Sequence, residues 1–256
     1  MQNYFNVFYE FDRRKVNDVI RQCIRDNVPG YVCSIDGNSL VSANNNVDHL
    51  EALNGATVNL CDSAWTPFFI NCIYGTGYKN YTGADLFLEY INEKKYRQFF
   101  LGSTPQILKG LKGKMSKIDP SIQNMRFETL PFRKVEEFDY PQIADMINED
   151  NPDIIWVSLG APKQEQFMHR LKPYLNRGVM FGFGAIFNFN SGIPDQKRAP
   201  KWMIKLNMEW VFRIFQEPSR MAGRYWNVFI SYPSLIKEEI RRKKWSDSHA
   251  SLTLPG

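Results

Sequence analysis

The sequence predicts an α/β protein built on a doubly wound, largely parallel sheet. Short runs rich in β-branched and aromatic residues alternate with longer stretches of helical periodicity, which is the pattern of consecutive βαβ units. Residues 154–159 are mostly apolar, as expected of a strand that is buried on both faces. Gly160 then allows a turn, and Pro162 suits the first turn of a helix. Such a junction directs N–H groups at a ligand, most commonly a phosphate.

The remaining elements follow from the same alternation. The predicted strands are residues 30–41, 56–62, 96–101, 122–127, 154–159 and 178–183. The predicted helices are residues 47–54, 85–94, 105–115, 141–148 and 163–172, with a polar turn at 44–46. The pattern assigns no element to residues 1–29 and shows no internal repeat.

Composition indicates one core domain with an appendage. The chain has 256 residues, of which 43% are hydrophobic, enough to bury a core. It has no run of 18 apolar residues and its first residues lack the order of a signal peptide, so we expect a cytoplasmic protein. The four cysteines lack CxxC spacing and are expected to be reduced and buried. Together with only three histidines, this spacing predicts no zinc or iron cluster.

Positive charge is concentrated near the C-terminus. Residues 195–245 contain 12 Lys or Arg and 5 Asp or Glu, a local charge of +7, so the rest of the +5 chain carries −2. Aromatic residues are interleaved with these charges, a pattern typical of proteins that dock on an anionic membrane surface. Nucleic acid is the competing partner, but no helix-turn-helix, zinc-finger or RNA-recognition pattern accompanies the charge.

These patterns divide the chain into three parts. Residues 1–194 are predicted to form the core, residues 195–245 the membrane-docking appendage and residues 246–256 a disordered tail. Because the predicted sheet is complete by residue 183, we expect the core to fold without the appendage.

Small and polar residues gather at the carboxyl ends of the predicted strands. They are Asp62, residues 102–104, residues 160–164 and residues 182–184. Ligands of doubly wound sheets bind at this edge, so the set predicts a site for a nucleotide diphosphate with one carboxylate as a base. Each piece alone also fits a tight turn or a helix cap.

Five motifs extend this interpretation to a family. They are YTGADLF at 81–87, FLGSTPQ at 100–106, PDIIWVSLGAPKQEQF at 152–167, GFGAIFNFNSG at 182–192, and RAPKW with its following EW, EPSR and RY at 198–225. From about residue 29 to residue 225 the chain resembles the WecG/TagA/CpsF glycosyltransferases, glycosyltransferase family 26. The resemblance implies a Rossmann-like core and a mainly helical C-terminal appendage that docks on the inner membrane face.

The resemblance also implies an activity. Such enzymes move N-acetylmannosamine or a related hexosamine or uronic acid from a UDP-sugar to an undecaprenyl-diphosphate-linked sugar in surface polysaccharide synthesis. They invert the anomeric centre and use neither a metal nor another cofactor, and the chain contains no Asp-x-Asp motif. A homo-oligomer is possible.

Asp62 is the base that the resemblance implies, although Ser63 replaces the glycine that usually follows it. The alternative is a cap for a helix at residues 64–69. The other implied catalytic residues are Gln164, Arg213, Arg220 and Arg224, the arginines meeting the charge of the diphosphate leaving group. For each arginine the alternative is a solvated basic helix face. Glu165 is expected to favour the N-terminus of its helix.

The implied substrate-binding residues include several departures from the family. The set is Ser34, Asp36, Lys79, Asn80, Thr82, Gly102, Ser103, Gly160, Lys163, Gly184 and Asn188. Ser34 and Asp36 stand where the family usually has Thr and Asn, and Asn188 where many members have Asp. Asn80 replaces an expected arginine, for which the adjacent Lys79 is the candidate substitute.

Two other function classes stay open. A nicotinamide dehydrogenase would use a similar sheet, but the first strand is not followed by GxGxxG. A non-catalytic, nucleotide-binding adaptor at the membrane surface would use the same basic appendage, and the departures at Asn80 and Asn188 favour it. UDP release with a lipid-linked acceptor distinguishes these classes.

Overall fold

The computed structural model describes residues 1–193, 199–200, 202–203 and 209–250. Its strands are β1 (Gln2–Tyr4), β2 (Val7–Tyr9), β3 (Gly30–Ile35), β4 (Val58–Cys61), β5 (Gln98–Gly102), β6 (Arg126–Glu128), β7 (Ile154–Ser158) and β8 (Val179–Gly182). Its helices are α1 (Arg13–Arg25), α2 (Gly37–Asn45), α3 (Val47–Asn54), α4 (Trp65–Tyr74), α5 (Gly83–Glu93), α6 (Pro105–Met115), α7 (Tyr140–Asp150), α8 (Lys163–Leu171), α9 (Gly184–Asn190), α10 (Glu209–Gln216) and α11 (Pro218–Ala250).

Six strands form one parallel sheet in the order β4-β3-β8-β7-β5-β6. The chain passes from β3 outward to β4 and then crosses to β5 on the other side. Such a reversal opens a crevice at the carboxyl ends of the strands, where ligands bind. The predicted fold class is therefore confirmed, including a helical C-terminal region.

Both faces of the sheet are buried, as the apolar strands predict. Ile155 and Val157 face a core that includes α2, α3, α7 and α8, whereas Ile154 and Trp156 face a core that includes α1, α5, α6 and α9. Alternate residues of one strand thus enter opposite cores because side chains alternate across a strand. The sheet is held rigidly between the two layers, which fixes the positions of its carboxyl ends.

Most predicted elements agree with the structure, and α3 and α6 have the predicted bounds. The prediction of one strand over residues 30–41 is wrong. The Asp36 side chain accepts a hydrogen bond from Ser39 N over 2.7 Å, which ends β3 and begins α2. Residues 44–45 belong to this helix rather than to a turn. The strand predicted at 122–127 is also wrong at its start, because Pro120–Asn124 forms a 3₁₀ helix.

The first 25 residues contain structure that the sequence pattern did not reveal. β1 and β2 form an antiparallel hairpin, and α1 follows. The hairpin turn consists of Phe5 and Asn6 at φ of 52° and 67°, a conformation that glycine and asparagine usually occupy. Without the usual Asn-Gly or Asp-Gly sequence, the turn gave no signal.

The C-terminal helix packs on the core along much of its length. α11 spans 33 residues with Pro233 inside it. Tyr232 is buried, and its hydroxyl lies 2.9 Å from Thr66 Oγ1 on α4. Truncation at residue 192 would expose this core surface, and independent folding of the core stays a prediction. The boundary near residue 194 stays a prediction, since residues 194–198 lie outside the described residues.

Two smaller predictions also change. Residues 246–250 are helical within α11 rather than disordered, and residues 251–256 lie outside the described part of the chain. Cys33 and Cys61 are buried as predicted, but Cys72 is exposed and Cys23 is only half-buried. All four are free thiols.

Candidate active site

Asp62 follows β4 at the carboxyl edge of the sheet, and two neighbouring elements hold its carboxylate. Ser34 Oγ on β3 donates to Asp62 Oδ2 over 2.6 Å. The N–H of Gly83, at the start of α5, donates to the same oxygen over 3.2 Å. No described residue donates a hydrogen bond to Oδ1 of Asp62. That oxygen is therefore the one available to a substrate hydroxyl.

The interpretation of Asp62 as a cap of the next helix is wrong. Helix α4 begins at Trp65, and the N–H groups of Trp65 and Thr66 donate to Ser63 Oγ over 3.2 and 3.3 Å. Ser63 thus provides the local hydrogen bonds that the cap would have supplied. Asp62 is left to bond with β3 and α5 across the crevice.

The surroundings of Asp62 prepare it to exchange a proton near neutral pH. Burial raises the pKa of Asp62 to about 6, although the hydrogen bonds from Ser34 and Gly83 oppose this shift. The Asp36 carboxylate raises the pKa further, and the Arg213 guanidinium lowers it. A carboxylate with a pKa near the working pH is suited to general-base catalysis.

Gln164, at the start of α8, joins three elements through its carboxamide. Its Oε1 accepts from the N–H groups of Gly160 and Gly184, each over 3.1 Å. Its Nε2 donates to Gly182 O over 2.8 Å and to Glu165 Oε1 over 2.9 Å. These four bonds satisfy the whole amide. A direct contact between Gln164 and a substrate stays a prediction, because its observed contacts are within the protein.

Gly160 and Gly184 are brought together by this amide. Gly160 has a φ of +77° and is exposed, as a turn at the end of β7 requires. A Cβ on Gly184 would lie 2.8 Å from Gln164 Oε1 and 3.0 Å from Gly160 N. The close approach of the β7–α8 and β8–α9 junctions therefore depends on glycine at position 184.

Residues 102 and 103 form the corresponding turn after β5. A Cβ on Gly102 would lie 2.6 Å from Ser158 O, so only glycine allows the two strands to pack here. Ser103 has a φ of +67°, and its N–H donates to Ser158 O over 3.0 Å. The N–H of Ser103 is thus used inside the protein, and a role of this turn in substrate binding stays a prediction.

The Lys163 side chain contacts the loop that contains Phe132 and Arg133. Its Nζ donates to Arg133 O and lies 5.1 Å from the ring centroids of both Phe132 and Phe138. Phe132 is fully exposed, so this lysine lies beside an exposed loop. Contact between Lys163 and a diphosphate would require this loop contact to change.

Two of the three predicted arginines act electrostatically on buried carboxyl groups and lower their pKa values. Arg213 on α10 lies 4.9 Å over the Phe189 ring and interacts electrostatically with Asp62. Arg224 on α11 is near enough to Glu165 to lower its pKa. Arg220 belongs to α11, but its side chain lies outside the description. The structure therefore brings part of the appendage to the carboxyl edge of the sheet.

The other predicted binding residues have simpler positions. Asp36 caps α2, and Thr82 caps α5 by accepting from Asp85 N over 3.2 Å. Lys79 and Asn80 are exposed in the segment before α5. Asn188 is half-buried on α9, where its carbonyl accepts from Ser191. Contacts of these residues with a substrate stay predictions.

Sequence reasoning missed a buried pair behind Gln164. Glu165 lies in the first turn of α8, as expected, but its side chain is fully buried. Its Oε2 lies 3.9 Å from Nε2 of the buried His49, and neither atom has a hydrogen-bond partner among the described residues. Burial raises the pKa of Glu165 to about 7 and lowers the pKa of His49 to about 4. Both shifts favour the neutral forms. His49 and Glu165 are 116 positions apart, and no sequence pattern indicated that they would be in contact.

No group of three or more His, Cys, Asp or Glu side chains among the described residues is arranged to hold a metal ion. None of the helices described is both long and apolar enough to cross a membrane.

Comparison with known proteins agrees with this geometry. The model of the glycosyl transferase WecG/TagA/CpsF family matches residues 5–245. The chain belongs to this family. The resemblance inferred from the five motifs is therefore confirmed, and the match extends from the hairpin turn through most of α11.

Three curated relatives in this family have the same name, N-acetylglucosaminyldiphosphoundecaprenol N-acetyl-beta-D-mannosaminyltransferase. The protein from Bacillus subtilis (strain 168) is 34% identical over 63% of this chain and 61% of its own length. Those from Bacillus spizizenii and Staphylococcus aureus (strain MW2) are 28% and 26% identical. The match to the Bacillus spizizenii protein covers 64% of this chain and 60% of that protein. The match to the Staphylococcus aureus protein covers 61% of this chain and 58% of that protein. The chain thus spans about three-fifths of each relative.

Proposed function

We propose that the protein transfers N-acetylmannosamine or a related hexosamine or uronic acid from a UDP-sugar to an undecaprenyl-diphosphate-linked acceptor. The observation that supports this most strongly is the Asp62 carboxylate, which is held at the sheet edge by Ser34 and Gly83 with Oδ1 left for a hydroxyl. Membership of a glycosyl transferase family supplies the reaction class. The names of the three relatives supply the type of sugar and of acceptor.

The reaction follows from one base and one leaving group. Asp62 takes the proton of the acceptor hydroxyl as its oxygen bonds to the anomeric carbon of the donor. The bond between that carbon and the diphosphate oxygen breaks on the opposite face, its electron pair leaves with UDP, and the configuration inverts. Asp62 then releases its proton to solvent.

Charge on the departing diphosphate must be stabilised, and the appendage is the source that we propose. Arg213 already lies in the electrostatic field of Asp62, and Arg224 in that of Glu165. Cations that meet the charge only as it develops lower the barrier without tightening ground-state binding. Arg220 lies one turn before Arg224 in α11, so we assign it the same role.

We also propose peripheral attachment to the cytoplasmic face of the membrane, where a lipid-linked acceptor would be found. Trp226, Phe229 and Ile230 of α11 are 63%, 73% and 54% exposed, and Phe215 on α10 is 80% exposed. Contiguous apolar side chains of this size are uncommon on a surface without a partner. Tyr232, Arg242 and Lys243, in contrast, contact the core.

The test is UDP release with purified undecaprenyl-diphosphate-N-acetylglucosamine and a panel of UDP-sugars. Release that requires both a donor and the lipid-linked acceptor supports the transferase. Binding of UDP-sugar without release under any combination favours the alternative, a nucleotide-binding adaptor at the membrane surface. The departures at Asn80, which is exposed, and at Asn188, which is half-buried, are the features that keep this alternative.

A further inference from the structure

The C-terminal half of α11 carries a buried carboxylate that the proposed reaction does not use. Glu239 is only 2% exposed, although a solvent-exposed glutamate, Glu238, precedes it. Burying a carboxylate is costly unless its oxygens are paired, so its partners indicate what it does.

Glu239 joins three separate elements. Its Oε2 accepts from the N–H of Phe5 in the hairpin turn over 2.9 Å. Its Oε1 accepts from the hydroxyl of Tyr74, the last residue of α4, over 2.7 Å, and from Nη2 of Arg242 over 2.7 Å. Phe5, Glu239, Arg242 and Tyr74 form what we call the hairpin anchor. Two of its three bonds connect residues more than 160 positions apart.

Arg242 and Lys243 complete the attachment. Arg242 Nη1 donates to Asn3 Oδ1 over 2.8 Å, and its Nη2 donates to Asn3 O over 3.0 Å. Lys243 Nζ donates to Ile73 O over 2.6 Å. These cations therefore bind the protein itself rather than contribute to an outer basic surface. The one ion pair of this set, between Arg242 and Glu239, is of a kind that can fix the register of a helix.

The same helix carries the proposed arginines at its other end. Arg224 lies 15 positions before Glu239, about 22 Å along a helix at 1.5 Å per residue. Arg213 lies on the preceding helix, α10. The position of Arg213 is coupled to α11 because Glu217 N donates to Arg213 O over 3.0 Å at the junction of the two helices. Pro233 interrupts the helical hydrogen bonds between the two ends. The adjacent Tyr232 hydroxyl, 2.9 Å from Thr66 Oγ1, supports the helix at that point.

We propose that the hairpin anchor positions α11 so that Arg213 and Arg224 face the transfer site, which makes Glu239 a positioning residue of the reaction. The inference rests on the proposed function, because it assigns those arginines to the leaving group. It predicts that loss of the anchor misplaces the arginines while the sheet and Asp62 stay folded.

The test is Glu239→Gln, with the exposed neighbour Glu238→Gln as a control of the same charge change on the same helix. A displacement of about 1 Å costs up to about 100-fold in rate, so we expect kcat to fall about 10-fold to 100-fold in Glu239→Gln with little change in donor KM. Glu238→Gln should match the wild type. Tyr74→Phe, which removes one bond and keeps the ring, should have a smaller effect in the same direction.

A pH profile distinguishes positioning from a general loss of stability. The groups that bear on Asp62 are Asp36 at the start of α2, Arg213 on α10, and the hydrogen bonds from Ser34 and Gly83. Moving Arg213 away removes a cation, so the acid limb of kcat/KM should shift to higher pH in Glu239→Gln. Arg213→Gln should shift it similarly, and the double variant should shift it no further.

The outcomes separate the two proposals. If the wild type transfers sugar and Glu239→Gln retains its kcat and acid limb, the anchor proposal is wrong and the proposed function stands. If the wild type releases no UDP with any donor and the lipid-linked acceptor, the proposed function fails and the positioning role fails with it. Hydrogen exchange of the full-length variant checks the fold: protection should fall in α11 and persist in β7 and β8. Loss of protection in the strands as well would also overturn the positioning role.

Discussion

Ser34 Oγ donates to Asp62 Oδ2 over 2.6 Å, which links β3 and β4 at the edge where the crevice opens. The bond orients the carboxylate and stabilises its charged form, while burial opposes ionisation. Asp62 therefore remains a usable base at neutral pH although protein atoms surround it. This bond requires only a hydroxyl group at position 34, which serine supplies.

The acid limb of the rate profile should report Asp62. With a pKa of about 6, Asp62 must lose its proton before it can accept another, so kcat/KM should fall below about pH 6. Ser34→Ala removes a bond that lowers this pKa, so its acid limb should move to higher pH. Ser34→Thr retains the hydroxyl and is the control. An acid limb that is the same in Ser34→Ala and in the wild type would contradict this assignment.

Asp62→Asn should stabilise the fold at high pH. Because burial raises the pKa of Asp62 to about 6, the folded state binds its proton more tightly than the unfolded state does. This contribution is present at low pH and is lost as pH rises from about 4 through about 6. The variant should therefore gain about 1–3 kcal/mol over the wild type at pH 8 and nothing at pH 4. Urea unfolding at both pH values measures the difference, and an equal gain at both would contradict the linkage.

Gln164→Leu should be strongly destabilising. The substitution leaves the N–H groups of Gly160 and Gly184 and the carbonyl of Gly182 without their partner. The carbonyl of Gly182 is buried, and an unsatisfied buried group costs about 1–3 kcal/mol, whereas the exposed N–H of Gly160 can bond to water. Gln166→Leu, on the same helix but half-buried, should cost much less. If chemical denaturation finds the two variants equally stable, the amide is not structural and a direct contact with substrate becomes the better interpretation.

Arg213 and Arg224 should affect rate more than donor binding. We expect Arg213→Gln and Arg224→Gln each to lower kcat about 10-fold to 1000-fold, the range for removing one group that stabilises transition-state charge. Arg241→Gln removes the same charge from an exposed position of α11 and should remain near wild type. A uniform decrease in all three would indicate only general attraction of anions by the basic helix.

Exposed aromatic residues of α11 should govern attachment to lipid. Trp226→Ala and Phe229→Ala should release the protein from vesicles that contain anionic lipid. Trp245→Ala is the comparison variant, because Trp245 is an exposed aromatic residue about four turns further along the same helix. Salt should weaken the attachment further, because the Debye length falls to about 8 Å at physiological ionic strength. Vesicle sedimentation over a salt series measures both effects. Equal binding of all variants would place the lipid contact elsewhere.

How far the sequence predicted this structure depends on whether the signal was local. Residues 154–158 and 47–54 were predicted because apolar runs and flanking turn residues determine these elements locally. The hairpin was not, because Phe5 and Asn6 adopt φ above +50° with support from Glu239, more than 230 positions away.

The site was predictable in position but not in detail. Asp62 was found because strand ends of a parallel sheet share one edge. The use of every hydrogen bond of Gln164 inside the protein, and the pairing of Glu165 with His49, depend on packing between distant elements. Such contacts cannot be predicted from residue type and spacing.

The most direct test of the account is the single-turnover rate of sugar transfer to undecaprenyl-diphosphate-N-acetylglucosamine by the wild type and by Asp62→Asn. Both proteins are first saturated with the donor that gives UDP release, and donor affinity is measured for each. We predict unchanged donor affinity and a transfer rate about 100-fold to 10,000-fold lower in the variant, the usual contribution of a general base. Transfer by Asp62→Asn at a rate within about 3-fold of the wild type would contradict the assignment of Asp62 as the base.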